Sequence, residues 1–419
     1  MKKTILWLAP HKPYEKVRHA GGKNMYYYIN YINNSGKFDI TFIGLSYESE
    51  RKYDDIEKNG IRTDIYYRDH SKLDSVVRRV VSGFTLLNPW TKYYNLLLLY
   101  EHMQITKRVK KYKAQNGDPD IVILHWTAMG LLLPEMRRYF PKAKFIIIEE
   151  DVTYLGYKRK YEANPTWLTK YRYEHLKKDE LRVISDSDLT VTLNPKDQQL
   201  LINDGIRNNK IFAGTNYFER HTGIIRKPDN KTIMFYGAMD RAENYDSVIW
   251  FIDNVMTELV KDDFRMIVVG ANPSGKLIDK VRDFNNLNVI PKSAENGAIK
   301  QENAIELTGF VDSVDPYFEK ALCLAAPLLL GAGIKVKVQE AMSAGIPVIT
   351  NDIGIEGINA SNGIEYLHAK NPSEYIDSIK QLSQNPEKVH YIGEKAKEYI
   401  QANNNIEKKL NALVDEMDR

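Results

Sequence analysis

A chain of 419 residues, 43% hydrophobic and 27% charged, is long enough for two or three domains, and its ordinary composition excludes wholesale disorder, collagen and coiled coil. Lysine and arginine (59) exceed aspartate and glutamate (55) by only 4, so mean charge singles out no partner. The single cysteine, Cys323, excludes an intrachain disulfide and any zinc-type cysteine cluster, and the expected compartment is the reducing cytoplasm. The apolar run Thr4–Pro10 is too short for a signal peptide, and no stretch reaches the ~20 apolar residues of a membrane span.

Strand-like apolar runs alternate with helical patterns, which predicts parallel βαβ units. Thr4–Ala9 reads as the first strand, followed by a loop holding Gly21-Gly22 and a helix from Lys23 to Asn33. Phe38–Gly44, Ile121–His125, Phe145–Ile148 (leading to Glu149-Glu150-Asp151), Leu189–Leu193 and Ile211–Ala213 continue the series. The polar stretch His221–Lys231 interrupts the rhythm and is expected to be a linker. The pattern then restarts. Thr232–Tyr236 ends in Gly237, a helix is expected over Ser247–Val260, Arg265–Val269 ends in Gly270, and Ala304–Leu307 ends in Thr308-Gly309. Leu322–Ala325 and Pro347–Thr350 complete the strands, and Glu374–Leu382, His390–Ala402 and Glu407–Met417 read as closing helices. Two Rossmann-like α/β domains facing each other across a cleft are the economical reading, with ligands at the carboxyl ends of the strands. Their expected extents are 1–222 and 223–399, and the terminal helix near 400–419 is free to pack back on the first.

The stretch Leu328–Gly357 carries the most chemistry. Gly331 and Gly333 precede a helix expected over Lys335–Ala344, which Gly345 stops before Pro347. A glycine-bracketed helix start offers free amide N–H groups and the positive end of the dipole to a phosphate. Ile334, Val338, Ala341, Met342 and Gly345 form a packing stripe, whereas Gly333, Lys337 and Glu340 follow i, i+4, i+7 on another face. That face suits a nucleoside diphosphate, with ammonium at the phosphates and carboxylate at the sugar hydroxyls. A surface Lys/Glu pair on an ordinary helix explains the same spacing.

The pattern G-x-G-x-K-x-K-x-x-E-A-M-x-A-G-x-P-V-I-T over 331–350, followed by G-I-E-G, resembles the signature of the group 1 (family 4) glycosyltransferases, which have the GT-B fold. Tyr236-Gly237-Ala238-Met239 with Glu243-Asn244, and Thr308-Gly309-Phe310-Val311, resemble the family's donor-side turns. The resemblance implies a retaining transfer of sugar from a UDP- or GDP-linked donor to a hydroxyl of a glycan, lipid-linked or polymer acceptor. It implies that Glu340 holds the ribose, that Lys335 and Lys337 meet the phosphates, and that His125 approaches the donor sugar. Gly237, Arg241, Gly309, Phe310, Val311, Gly331 and Gly333 are then donor-side. Gly21, Gly22, Glu150 and Asp151 are acceptor-side, with either Glu150 or Asp151 orienting the acceptor. No cofactor and no metal are expected. One departure is clear: Ala332 stands where the family's first glutamate is usual. This leaves a second reading, a catalytically silent GT-B subunit that binds a partner enzyme or carrier.

Between Arg68 and Lys113 ten basic residues face three acidic ones, +7, interleaved with Phe84, Leu86-Leu87, Trp90, Tyr93-Tyr94 and Leu96–Leu99. Tyr157–Arg182 adds eight basic residues against four acidic. The first mixture suits an anionic bilayer at the inner face of the membrane or a phosphorylated lipid carrier. A core-facing helix with a solvated basic end is the competing account. No nucleic-acid-binding signature accompanies the charge.

Overall fold

The computed structural model describes residues 2–17, 19–69, 71–86, 96–293, 299–331 and 333–419. Ala332 and, in the aromatic–basic segment, Leu87, Trp90, Lys92, Tyr93 and Tyr94 lie outside the described residues, as do the Phe84 and Leu86 side chains. The chain divides into two compact units. One runs to Tyr217 and takes in Ile406–Arg419; the other is Phe218–Asn405.

The first unit is built on a seven-stranded parallel sheet. Its strands are β1 (Lys3–Ala9), β2 (Phe38–Tyr47), β3 (Arg62–Arg68), β4 (Ile121–His125), β5 (Lys144–Glu149), β6 (Leu189–Thr192) and β7 (Ile211–Ala213), in the order β3-β2-β1-β4-β5-β6-β7. Central strands such as Ile121–His125 are buried throughout, and apolar up to the final histidine, because both faces are covered. Leu6, Leu8, Val122, Leu124, Phe145 and Ile147 point to one face. Ile5, Trp7, Ile121, Ile123, Ile146 and Ile148 point to the other. There they meet Met25, Tyr28, Ile29 and Ile32 of helix α1 (Ala20–Asn34) and, from the far end of the chain, Ile406, Leu410, Leu413 and Met417.

The sequence did not predict β3. Its residues, Arg-Thr-Asp-Ile-Tyr-Tyr-Arg, are polar because it lies at the sheet edge, paired on one side by β2. Gly21 and Gly22 also fall differently from expectation. They occupy the first turn of α1 rather than a loop, after an N-cap by His19, whose Nδ1 accepts from the Gly22 amide at 3.0 Å.

The second unit carries a six-stranded parallel sheet formed by β8 (Thr232–Tyr236), β9 (Arg265–Val269), β12 (Ile305–Gly309), β13 (Cys323–Ala326), β14 (Val348–Thr350) and β15 (Leu367–His368). Its order is β12-β9-β8-β13-β14-β15, and a hairpin of β10 (Val289–Ser293) and β11 (Ile299–Asn303) stands apart from it. The chain fills one side of β8 first and then crosses to the other, so the carboxyl ends of β8 and β13 flank a switch point, where open parallel sheets take their ligands. The helix expected over Ser247–Val260 begins earlier, at Ala242, and passes through a π turn at Ile252–Met256. The expected linker is irregular but anchored within this unit. Arg226 donates to the Gly345 carbonyl at 2.6 Å, and His221 Nδ1 lies 2.7 Å from Asp315.

Candidate active site

In the second unit three strand ends are drawn tightly together. The Gly237 amide donates to the Val269 carbonyl at 3.0 Å, and the Gly270 amide to the Gly309 carbonyl at 3.1 Å. A Cβ on Gly270 would stand 1.8 Å from the Gly237 oxygen, so only glycine permits this approach. Gly237 in turn leaves room for two side chains: a Cβ there would lie 2.9 Å from Asn244 Nδ2 and 3.0 Å from Lys337 Nζ. Asn244 comes from helix α2 (Ala242–Phe251) and Lys337 from α3 (Val336–Ser343). The ammonium donates to Asn244 Oδ1 at 2.6 Å and sits 4.3 Å above the Phe235 ring.

Crowding around Lys337 has an electrostatic result. Burial, with Arg241 and Lys335 nearby, pushes its amine down to about 7, although Glu243 and Glu340 pull the other way. Glu340, one turn further along α3, is buried and accepts the Tyr236 hydroxyl at 2.6 Å. Burial and that carboxylate raise the phenol well above its usual range. The glycine turn before α3 uses φ +115° at Gly331 and +71° at Gly333. Lys335 folds back over it, donating to the Gly333 carbonyl at 2.5 Å and lying 3.7 Å from the buried Glu356. The first amides of α3 have no carbonyl within their own helix to receive them.

Arg241 caps α2, is largely exposed and pairs with Glu243. At the end of β12, Gly309 turns with φ +71°, Phe310 stands 68% exposed and Val311 packs on the core. Asn244 and Tyr236 were legible only as parts of a glycine-turn resemblance, and Glu356 only as a letter in G-I-E-G. The partners of Tyr236 and Asn244 lie 104 and 93 positions away in sequence.

In the first unit a second polar cluster sits at the carboxyl ends of β4 and β5. His125 Nε2 lies 2.7 Å from Glu150 Oε1, and Glu150 Oε2 accepts from Asn24 of α1 at 2.7 Å. The carboxylate accepts, so the imidazole proton belongs on Nε2. His125 ends β4, has no exposed surface, and its ring stacks on Trp7 at 5.7 Å. Glu150 is likewise engaged in positioning, and Asp151 follows it half-buried.

The reason for Gly21 is steric. A Cβ there would lie 2.3 Å from the Trp126 ring and 3.3 Å from Glu150. Trp126 holds φ +73°, costly for a non-glycine residue, with its amide donating to the Ile148 carbonyl at 2.8 Å. His11 and His19 stand edge-on at 5.2 Å and both border Trp126. Burial, together with His19 and Arg68, pushes His11 down to about 4. No spacing in the sequence links these three rings. Alternation along β5 sends Glu149 the other way, to Thr127 at 2.7 Å, where burial and Glu180 raise its carboxyl well above the usual range.

Part of the basic run of the first unit is paired, in three cases with acids, Asp64 and Asp118, that lie outside the Arg68–Lys113 window. Arg68 is buried with Glu101 at 2.7 Å, Arg108 and Lys111 both reach Asp64, and Lys113 reaches Asp118. Leu96–Leu98 precede the helix, with Leu97 buried in the core, and the helix Leu99–Asn116 turns Glu101, Ile105, Val109 and Tyr112 inward while Lys107, Lys110 and Lys111 stay exposed, as the core-facing account expects.

Two parallel Rossmann-like sheets, with a glycine turn and a Lys/Glu-bearing helix at the switch point of the second, define the GT-B fold. Residues 230–385 match the family model described as glycosyl transferases group 1. HepE of Anabaena, solved with UDP, is 12% identical and superposes with a TM-score of 0.62, covering 100% of this chain and 99% of that one. Sucrose-phosphate synthase of Thermosynechococcus elongatus is 13% identical with a TM-score of 0.65, covering 98% and 97%. In sequence, an uncharacterised 44.6 kDa protein in the cps region of Klebsiella pneumoniae is 25% identical over 196 residues, a match spanning 45% of this chain and 46%, under half, of that one.

Proposed function

We propose that the protein is a retaining glycosyltransferase moving a sugar from a nucleoside diphosphate donor to a hydroxyl of a glycan or lipid-linked acceptor, in cell-surface polysaccharide or glycoconjugate synthesis. The reading assigns the nucleotide sugar to the second domain and the acceptor to the first. The observation that carries it is the meeting of Lys337, Asn244 and the Gly237 turn one helical turn from Glu340. The group 1 match over 230–385 supports the same assignment, and HepE with UDP favours a UDP-linked donor.

Breaking the anomeric C–O bond leaves its electron pair on the diphosphate. Lys335, Lys337 and the first amides of α3 are suited to take up that charge, preorganised as they are in a crowded site. The acceptor hydroxyl attacks the same face and gives its proton to the departing phosphate, so no side-chain nucleophile is nominated. Glu340 accepts ribose hydroxyls, Phe310 offers a face to the base, and His125 with Glu150 and Asn24 positions the strand ends of the first domain.

Incubating the full chain with UDP- and GDP-sugars and following nucleoside diphosphate release tests the assignment. No turnover with any donor by a folded protein would leave the silent binding subunit as the account. Glu340→Ala is expected to weaken nucleoside diphosphate binding roughly tenfold, the scale of a charge-assisted hydrogen bond; unchanged affinity by titration calorimetry would remove the ribose role. Adding EDTA is expected to leave turnover intact, since ammonium and amide groups meet the leaving charge; loss restored by magnesium would contradict that.

A further inference from the structure

We propose that the helix Lys72–Leu86 of the first unit is a docking surface for an anionic lipid bilayer. Leu73, Val76, Val77 and Val80 follow i, i+3, i+4, i+7 along it and are 75%, 56%, 36% and 55% exposed. That is the spacing of a core stripe, turned outward. The orientation is fixed from the opposite side. Asp74 is buried and accepts the hydroxyls of Tyr66 at 2.6 Å and Tyr100 at 2.9 Å, while Arg78 pairs with Asp69 at 2.9 Å. The apolar stripe therefore does not face outward for want of an anchor: the helix is pinned by its polar face. The helix Leu99–Asn116 packs beside it and adds Leu99 and Met103, 40% and 53% exposed.

Charge selects the occupant. Exposed Lys72 and Arg79, seven positions apart, border the stripe on one edge, and the one acid of the helix, Asp74, points inward. An aliphatic face edged by cations with long stems suits an interfacial helix, its side chains entering the acyl boundary and its cations remaining among headgroups. A second copy docking antiparallel through the same face would bring two such cationic edges together. Among the described residues no helix is long and apolar enough to cross a membrane, so the contact is peripheral.

The test floats the full chain with vesicles of phosphatidylcholine alone or mixed with phosphatidylglycerol. Wild type is expected to partition onto the mixed vesicles roughly tenfold better than onto the zwitterionic ones, and less at high salt. Val76→Asp with Val80→Asp, both at exposed positions, is expected to lose binding about tenfold or more with unchanged melting temperature, and Lys72→Gln with Arg79→Gln to lose the preference for phosphatidylglycerol. Absence of wild-type binding, or equal binding by the double aspartate variant, overturns the proposal. So does a wild-type dimer in sedimentation that the aspartates disperse, which would assign the face to a second copy. Turnover with a water-soluble acceptor is read separately, so failure of this surface and failure of the glycosyltransferase reading are distinguishable.

Discussion

Lys337→Met is expected to lower turnover roughly 10²–10³-fold, the cost of removing one preorganised charge-stabilising donor, while nucleoside diphosphate affinity changes by about tenfold or less. The asymmetry follows from when the charge appears: the bound donor already carries some of it, and bond cleavage adds the rest within reach of the same ammonium. A second signature comes from protonation. Burial, then the neighbouring Arg241 and Lys335, holds the amine down at about 7, with Glu243 and Glu340 opposing. Above that pH the free protein carries a growing share of neutral Lys337, so binding a diphosphate draws in a proton. Apparent affinity is expected to fall by up to about tenfold per pH unit above 7 until the raised value of the bound state is reached, and the Met variant is expected to lack that slope.

Stability moves in the opposite sense. The unfolded lysine keeps its ordinary value of 10.5, so between about 7 and 10.5 the unfolded chain binds more protons than the folded one. Wild type is expected to gain stability relative to Lys337→Met as pH rises through that window. Chemical denaturation at pH 6.5 and 9 is the check, together with calorimetry in buffers of different ionisation enthalpy. A flat affinity profile with no proton uptake would sink the role given to this amine.

The parts of the fold legible in the sequence are those whose cause is local. The strands Ile121–His125 and Thr232–Tyr236 have apolar interiors because sheet and helices cover both faces, and their limits in the structure are those the pattern predicts. The turn at Gly331–Gly333 and the Lys/Glu helix are legible for the same reason, since a few adjacent residues hold the whole geometry. Edge strand β3 is not, because half its ladder meets solvent and its residues can be polar. Charge misleads in the same way: Arg108 and Lys111 look unopposed until folding brings up Asp64, more than forty positions away. Gly21 was visible as a glycine, but its cause, the Trp126 ring, comes from across the sheet. Likewise the chain Trp7–His125–Glu150–Asn24 joins β1, β4, the bend after β5 and α1, which no spacing rule connects.

Gly270→Ala is expected to destabilise the second unit by about 3 kcal/mol, the upper range for forcing extra volume into a packed position. The added Cβ would sit 1.8 Å from the Gly237 oxygen and 2.9 Å from its carbonyl carbon. Both are backbone atoms, so no rotamer change relieves the clash, and φ +156° adds strain for any residue with a side chain. The backbone that must yield is the Gly237 turn, against which Asn244 and Lys337 rest, so donor affinity is expected to fall along with stability. Gly275→Ala provides the contrast. Nothing lies within 4 Å of a Cβ at that position, and it opens the helix Gly275–Leu287 behind the Ser274 cap. There the substitution is expected to stabilise by about 0.4–1 kcal/mol by restricting the unfolded chain. Calorimetric melting of the two variants, with nucleoside diphosphate titrated into each, measures both effects. A Gly270→Ala protein that melts and binds like wild type would mean that the strand ends do not abut, and the tight turn on which the donor site is founded would have to be abandoned.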